Sequence, residues 1–187
     1  MLIVCDVDGV LNNLMEVTLN VYNQKYGTEY LLNDINSYNL ENCFDHTTAK
    51  RMKQIFCDVK TPIWDKVKPI AGAQDALEQL LSKNHQVYLA TDNDPNTYGQ
   101  KVAWVKRFFP FIDSSKVMCI KDKWLLRADV MIEDNIQTLL AKPYYHRICF
   151  DYPWNQYEYD EVYGIHRCHN WGEIIDEIEK INEFETE

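Results

Sequence analysis

Leu2-Ile3-Val4-Cys5-Asp6-Val7-Asp8-Gly9-Val10-Leu11 begins with four apolar, strand-favouring residues and turns at once to charge and glycine. A buried parallel strand has this pattern, with function gathered where the apolar run ends. Three more runs share it: Gln86-Val87-Tyr88-Leu89-Ala90, Val130-Met131-Ile132 and Arg147-Ile148-Cys149-Phe150, each followed by polar or turn-forming residues. Val117-Met118-Cys119-Ile120 reads as a weaker fifth. Between the runs the period becomes helical. Ala73, Ala76, Leu77, Leu80 and Leu81 share one helix face, and Ile174, Ile175, Ile178 and Ile181 share another, behind Asn170 as N-cap with Glu173 three residues on. Strands alternating with helices predict an α/β fold, a three-layer Rossmann-like core around a parallel sheet.

One interval breaks the alternation. Residues 16–69 contain helical stretches over 17–26 and 47–58, an Asn-rich, loop-like middle over 33–42 and no convincing strand. This predicts a small, mostly helical cap inserted after the first strand, with the core formed by 1–15 and 70–187.

A chain of 187 residues suits one such core with one insertion. Hydrophobic residues at 46% and charged residues at 26% are ordinary for a folded, soluble protein. The net charge of -10 repels polyanions and argues against binding to nucleic-acid backbones. A small anion is compatible with it, because a bound cation supplies local positive charge. The six cysteines form no CxxC pair, which argues against a zinc framework, and Cys5, Cys119 and Cys149 lie in apolar runs where a thiol acts as a small hydrophobe. No signal-like N-terminus and no stretch of roughly 20 apolar residues is present. The expectation is a cytoplasmic protein without a membrane partner.

In open parallel sheets ligands bind beyond the carboxyl ends of the strands. The residues there are Asp6-Val7-Asp8-Gly9, Thr91-Asp92-Asn93 and Glu133-Asp134-Asn135. Two aspartates spaced D-x-D approach one site where the chain turns, which Gly9 permits. Their mutual repulsion calls for a cation. Magnesium fits, since it takes oxygen ligands, keeps several waters and commonly uses one or two carboxylates plus a substrate phosphate. Asp134 would arrive from a different strand.

D-x-D-G-V near the N-terminus, a threonine ending the next strand, a lysine, and a strand closing on paired acids resemble the four motifs of haloacid dehalogenase-like phosphatases. Within that superfamily the chain is similar to the 5′(3′)-deoxyribonucleotidase group through D-V-D-G-V-L, the helical insertion, K-D-K-W-L-L-R-A-D-V-M-I-E-D and I-C-F-D-Y-P-W-N. The resemblance implies a magnesium-dependent phosphomonoesterase acting on (deoxy)ribonucleoside monophosphates. It implies Asp6 as nucleophile and Asp8 as acid and base. Asp6, the backbone carbonyl of Asp8, and Asp134 would bind Mg2+, with Glu133 supporting them. Thr91, Lys123 and a backbone N–H of Asp92 or Asn93 would bind phosphate. Three positions depart from the group's usual pattern: Glu133 stands where aspartate is common, Asp92-Asn93 where small residues or proline are frequent, and Leu14 where an aromatic residue often meets the base.

Other readings compete. Paired acids after a strand also arise as a solvated turn. Asp129 precedes its strand and belongs at the opposite end of the sheet, while Lys121 competes with Lys123 and is set aside only by the resemblance. His166-Arg167-Cys168-His169 invites a zinc reading, but strand alternation separates His169 from His166 and Cys168. The aromatic residues between Tyr144 and Tyr163, among them Tyr152, Trp154, Tyr157 and Tyr159, fit either base stacking or packing. Phe44, Phe56 and Trp64 are the cap residues placed to meet a base. The functional alternatives are a phosphatase for nucleic-acid 3′ ends or sugar phosphates, and a non-catalytic binding module of the same fold. The sequence leaves the oligomeric state open.

Overall fold

The computed structural model describes residues 1–60, 63–141, 146–156 and 160–186. Six strands form one sheet: β1 (Leu2–Cys5), β2 (Gln86–Thr91), β3 (Val117–Cys119), β4 (Val130–Glu133), β5 (His146–Phe150) and β6 (Ile165–Cys168). Their order is β3-β2-β1-β4-β5-β6, and every pairing is parallel. The central strands are apolar throughout because both of their faces are covered. Along β1, Ile3 and Cys5 enter one core with Leu77, Leu80, Val87, Trp104, Ile174 and Ile178, while Val4 enters a second with Met131, Ile136 and Leu139. The expected α/β architecture is therefore present, and β6 extends it by one edge strand.

The helices are α1 (Leu14–Tyr26), α2 (His46–Phe56), α3 (Ala73–Ser82), α4 (Tyr98–Phe108), α5 (Ile136–Leu140) and α6 (Trp171–Thr186). Asn170 caps α6, its Oδ1 accepting from Glu173 N at 3.0 Å, and Glu173 in return accepts from His169 N at 2.8 Å. Helix α4 has no counterpart among the helices expected from sequence.

Between β1 and α3 the chain runs through α1, α2 and three 3-10 turns, Leu32–Asp34, Leu40–Asn42 and Ile63–Asp65, with no strand among the described residues. Asp45 caps α2 through Thr47 N and Thr48 N. The two ends of this segment are tied together beside β1. Ile70 N donates to Leu11 O at 2.9 Å, Asn13 N to Lys68 O at 3.1 Å, and Lys68 N to Asn13 Oδ1 at 2.8 Å.

Strand order reverses at β1, between β2 and β4, and a crevice for ligands opens at such a point. Register puts Cys5 beside Ile132, so Asp6, just past the end of β1, lies beside Glu133, the last residue of β4.

Candidate active site

After Cys5 the chain turns tightly. Leu11 N and Asn12 N both donate to Val7 O, at 2.9 and 3.2 Å, and Gly9 adopts φ +76°. A side chain at Gly9 meets two obstacles. The backbone lies in the left-handed region, and a Cβ there would stand 2.4 Å from Asp134 Oδ2. Glycine is what lets the β1 loop and the end of β4 converge.

That convergence gathers three buried carboxylates. Asp6, Glu133 and Asp134 each offer an oxygen, and these oxygens lie within 4.8 Å of one another. Lys123, on the 3-10 turn Lys123–Leu125, places Nζ 2.8 Å from Asp6 Oδ1 and 2.6 Å from Glu133 Oε2. One ammonium thus faces three acids in a site removed from water. Burial, and then the Glu133 charge, pushes the Asp6 carboxyl well above its ordinary range despite Lys123. Burial raises Glu133 as well. Burial and the Asp6 charge push Asp134 up to about 7. Burial opposes the charge on Lys123, yet Asp6 and Glu133 hold it protonated above the usual lysine range. Oxygen donors crowded with excess negative charge suit a hard divalent cation, and this cluster could hold one.

Asp134 is held from behind. Trp154 Nε1 donates to its Oδ2 at 3.1 Å, and Asn155 Nδ2 donates to its backbone O at 2.8 Å. Asn155 is fixed in turn by Arg167, whose Nη1 and Nη2 donate to its Oδ1 and backbone O at 2.7 and 2.9 Å. Trp154 stacks on Tyr152 with ring centroids 4.0 Å apart and 8° between planes.

The Asp8 carboxylate lies outside this cluster. Its Oδ1 accepts from Asn12 Nδ2 at 3.0 Å and its Oδ2 from Lys101 Nζ at 2.5 Å. Thr91, at the end of β2, is buried, and its Oγ1 accepts from the same Lys101 Nζ at 2.7 Å. The backbone O of Asp92 is a third acceptor for that ammonium at 3.3 Å, while the Asp92 side chain is exposed. The residues singled out from sequence thus form two adjoining groups: Asp6, Lys123, Glu133 and Asp134 in one, Asp8, Thr91 and Asp92 in the other. Lys101, which joins the second group, was not among the expected residues. Its signal was available, since Lys101, Trp104, Val105 and Phe108 fall at i, i+3, i+4 and i+7, which puts the lysine on the apolar stripe of α4.

A cavity of about 180 Å³ opens above Asp8 and Asp134, walled by Leu14, Met15, Ile35, Leu40 and Phe56. Tyr38 and Lys53 also line it. Tyr38 is 54% exposed as a residue, and partial desolvation together with the charges of Asp134 and Asp6 raises its phenol, which stays protonated. Of the cap aromatics named from sequence, Phe56 lines this cavity, Phe44 packs edge-on against Tyr30, and Trp64 packs against Trp104. Tyr144, Tyr157 and Tyr159 lie outside the described residues.

Asp129 accepts from Leu2 N at 2.6 Å, at the start of β1 and away from the acids. His166 pairs with Glu177 and His169 with Asp151. The six cysteines are free thiols. Among the described residues no helix is long and apolar enough to cross a membrane.

Comparison with known proteins agrees with this arrangement. Residues 1–183 match the family described as 5′ nucleotidase, deoxy (Pyrimidine), cytosolic type C protein. A 5′(3′)-deoxyribonucleotidase of Bacillus subtilis (strain 168) is 28% identical over 179 residues, 92% of this chain and 95% of that protein. One from Clostridium acetobutylicum is 29% identical over 133 residues, covering 70% and 71%. In fold, the chain is similar to a haloacid dehalogenase family hydrolase from Deinococcus radiodurans R1 solved with bound phosphate and sodium. The TM-score is 0.63 at 14% identity, over 97% of this chain and 96% of that one. Taken with the acids that β1 and β4 bring together, the match across nearly the whole length shows that this chain, with the fold of haloacid dehalogenase-like hydrolases, belongs to the cytosolic type C deoxy-5′-nucleotidase family and is a phosphoric monoester hydrolase.

Proposed function

We propose that the protein dephosphorylates (deoxy)ribonucleoside monophosphates with Mg2+, through a phospho-aspartate on Asp6. The observation that carries this reading is the position of Asp6, a buried carboxylate held by Lys123 close to Glu133, which ends β4, and Asp134, which follows it.

Asp6 attacks phosphorus, forming an acyl phosphate as the bond to the ester oxygen breaks. Asp8 gives its proton to the leaving oxygen. Asp8 then takes a proton from the water that attacks phosphorus, which frees phosphate and restores Asp6. Lys123 neutralises charge at Asp6 throughout, and Thr91, with the backbone N–H of Asp92 or Asn93, orients the phosphoryl oxygens. Asp6, Asp134 and the Asp8 carbonyl are the residues that would hold Mg2+, with Glu133 supporting them. The bound cation supplies positive charge that offsets the carboxylates and the incoming phosphate.

We assign 16–69 as the cap that selects substrate. Its support is the apolar wall of Ile35, Leu40 and Phe56, which faces Leu14 and Met15 of the core above Asp8 and suits the flat, weakly polar face of a nucleoside. The free thiols accord with a reducing cytoplasm. The net charge of -10 favours mononucleotides over nucleic-acid 3′ ends.

Phosphate release from a panel of nucleoside monophosphates, oligonucleotide 3′-phosphates and sugar phosphates in Mg2+ tests the reading. Turnover confined to mononucleotides is the expected result. Preference for sugar phosphates or oligonucleotides would assign the cap a different substrate.

A further inference from the structure

Lys101 is a buried cation whose place needs explaining. Its side chain is 1% exposed, and Nζ has three acceptors: Asp8 Oδ2, Thr91 Oγ1 and Asp92 O. The Trp64 ring, from the segment between β1 and β2, closes over it at 5.6 Å. A lysine ammonium has three N–H donors and no acceptor, so this set can occupy all of them. Burying such a charge costs several kcal/mol, and an apolar side chain would fill the space at least as well for stability alone. The end of β2 anchors two of the donors, which fixes the direction of the third. That third donor meets Asp8, whose other oxygen is already held by Asn12. The carboxylate is thereby pinned at both oxygens.

We propose that Lys101 is a positioning residue of the phosphoryl-transfer site: anchored on Thr91 and Asp92, it holds the Asp8 carboxyl group in line with the leaving oxygen, to which that group gives its proton as the ester bond breaks. The inference rests on the phospho-aspartate reading. Lys101 exchanges no proton in either half-reaction; it acts through Asp8. Losing it therefore costs most where the leaving oxygen most needs a proton, and little where it does not.

The test compares kcat/KM, which reports the step in which the ester bond breaks, for a nucleoside 5′-monophosphate and for 4-nitrophenyl phosphate, whose leaving group departs without protonation. In Lys101→Met the nucleotide value should fall about a hundredfold further than the nitrophenyl value, within the range for misplaced general acids. The same substitution made on Asp8→Asn should add little, because the group it positions is already gone. Equal losses on the two substrates, or an undiminished loss in the Asp8→Asn background, would overturn the proposal. Lys101→Gln, which keeps a donor for Thr91 without the charge, is read the same way if the methionine variant does not fold. Asp6→Asn separates the two levels. Turnover surviving in Asp6→Asn removes the phospho-aspartate reading itself, whereas a silent Asp6→Asn with a flat Lys101 pattern removes only the role of Lys101.

Discussion

Trp154→Phe removes one N–H from the back of the acidic cluster and keeps an aromatic ring for the stack on Tyr152. The lost bond, Nε1 to Asp134 Oδ2 at 3.1 Å, joins two buried side chains, so water does not replace it well. A hydrogen bond to a charged group contributes about 1.5–3 kcal/mol, which corresponds to roughly a ten- to hundredfold change in an equilibrium. Outer partners of metal ligands cost a similar factor in metal affinity when removed. The same bond lowers the Asp134 pKa, so the variant's carboxyl should move above about 7. Protons then compete with the cation, and more strongly at low pH. Calorimetric titration with Mg2+ should show weaker binding in the variant, with a larger deficit at about pH 6 than at about pH 8. An unchanged dissociation constant at both pH values would refute the reasoning.

Gly9→Ala should lose most turnover, because φ +76° strains the new residue and its Cβ displaces the Asp134 carboxylate; backbone strain alone costs about 1–2 kcal/mol, visible as a lower Tm, and near-native kcat/KM would contradict the close approach. Metal-free protein should lose stability as pH rises. Asp6, Glu133 and Asp134 have raised pKa values when folded, so the folded chain binds more protons than the unfolded one and that contribution is lost as pH rises, for Asp134 through about 7. The depressed carboxyls, Glu41, Asp45, Asp113, Asp151 and Glu179, act in the opposite sense but are almost fully ionised above about pH 5.5, and from there to about pH 8 only the lowered His85 opposes the three acids. Thermal melts from about pH 5.5 to 8 should therefore decline without Mg2+ and flatten with it; a rising metal-free profile would contradict the cluster. Lys123→Met leaves three buried acids unpaired, and should lower kcat by at least about a hundredfold while making metal-free stability more sensitive to pH. Retained turnover in that variant would exclude Lys123 from the chemistry.

The strands of the core were legible because parallel central strands must be apolar on both faces, which leaves short uninterrupted runs such as Leu2 to Cys5. Strand β6 was less so: Ile165 and Cys168 are buried, but exposed His166 interrupts the run, as an edge strand allows. The acids were legible from strand ends alone, since Asp6, Thr91, Glu133 and Asp134 each close a strand or follow one. Lys101 and Trp154 were not. A lysine is usually read as a solvated charge, and only the stripe it shares with Trp104 and Val105 marks it as buried. Trp154 belongs to an aromatic-rich segment whose packing and binding readings were equally open. Its bond to a carboxylate 20 residues earlier depends on how Asn155 and Arg167 fold the turn after β5. Local patterns place elements and strand-end residues; partners that meet only through tertiary folding leave a weaker trace.

The central claim is that phosphate passes through Asp6, and the most direct measurement is capture of that intermediate. Protein mixed with a nucleoside monophosphate and Mg2+, quenched in acid during turnover and digested, should yield one phosphorylated peptide. That peptide should contain Asp6, lose its phosphoryl group to hydroxylamine as an acyl phosphate does, and be absent from Asp6→Asn. Turnover with no such adduct under rapid quench, or an adduct that persists in Asp6→Asn, would contradict the account.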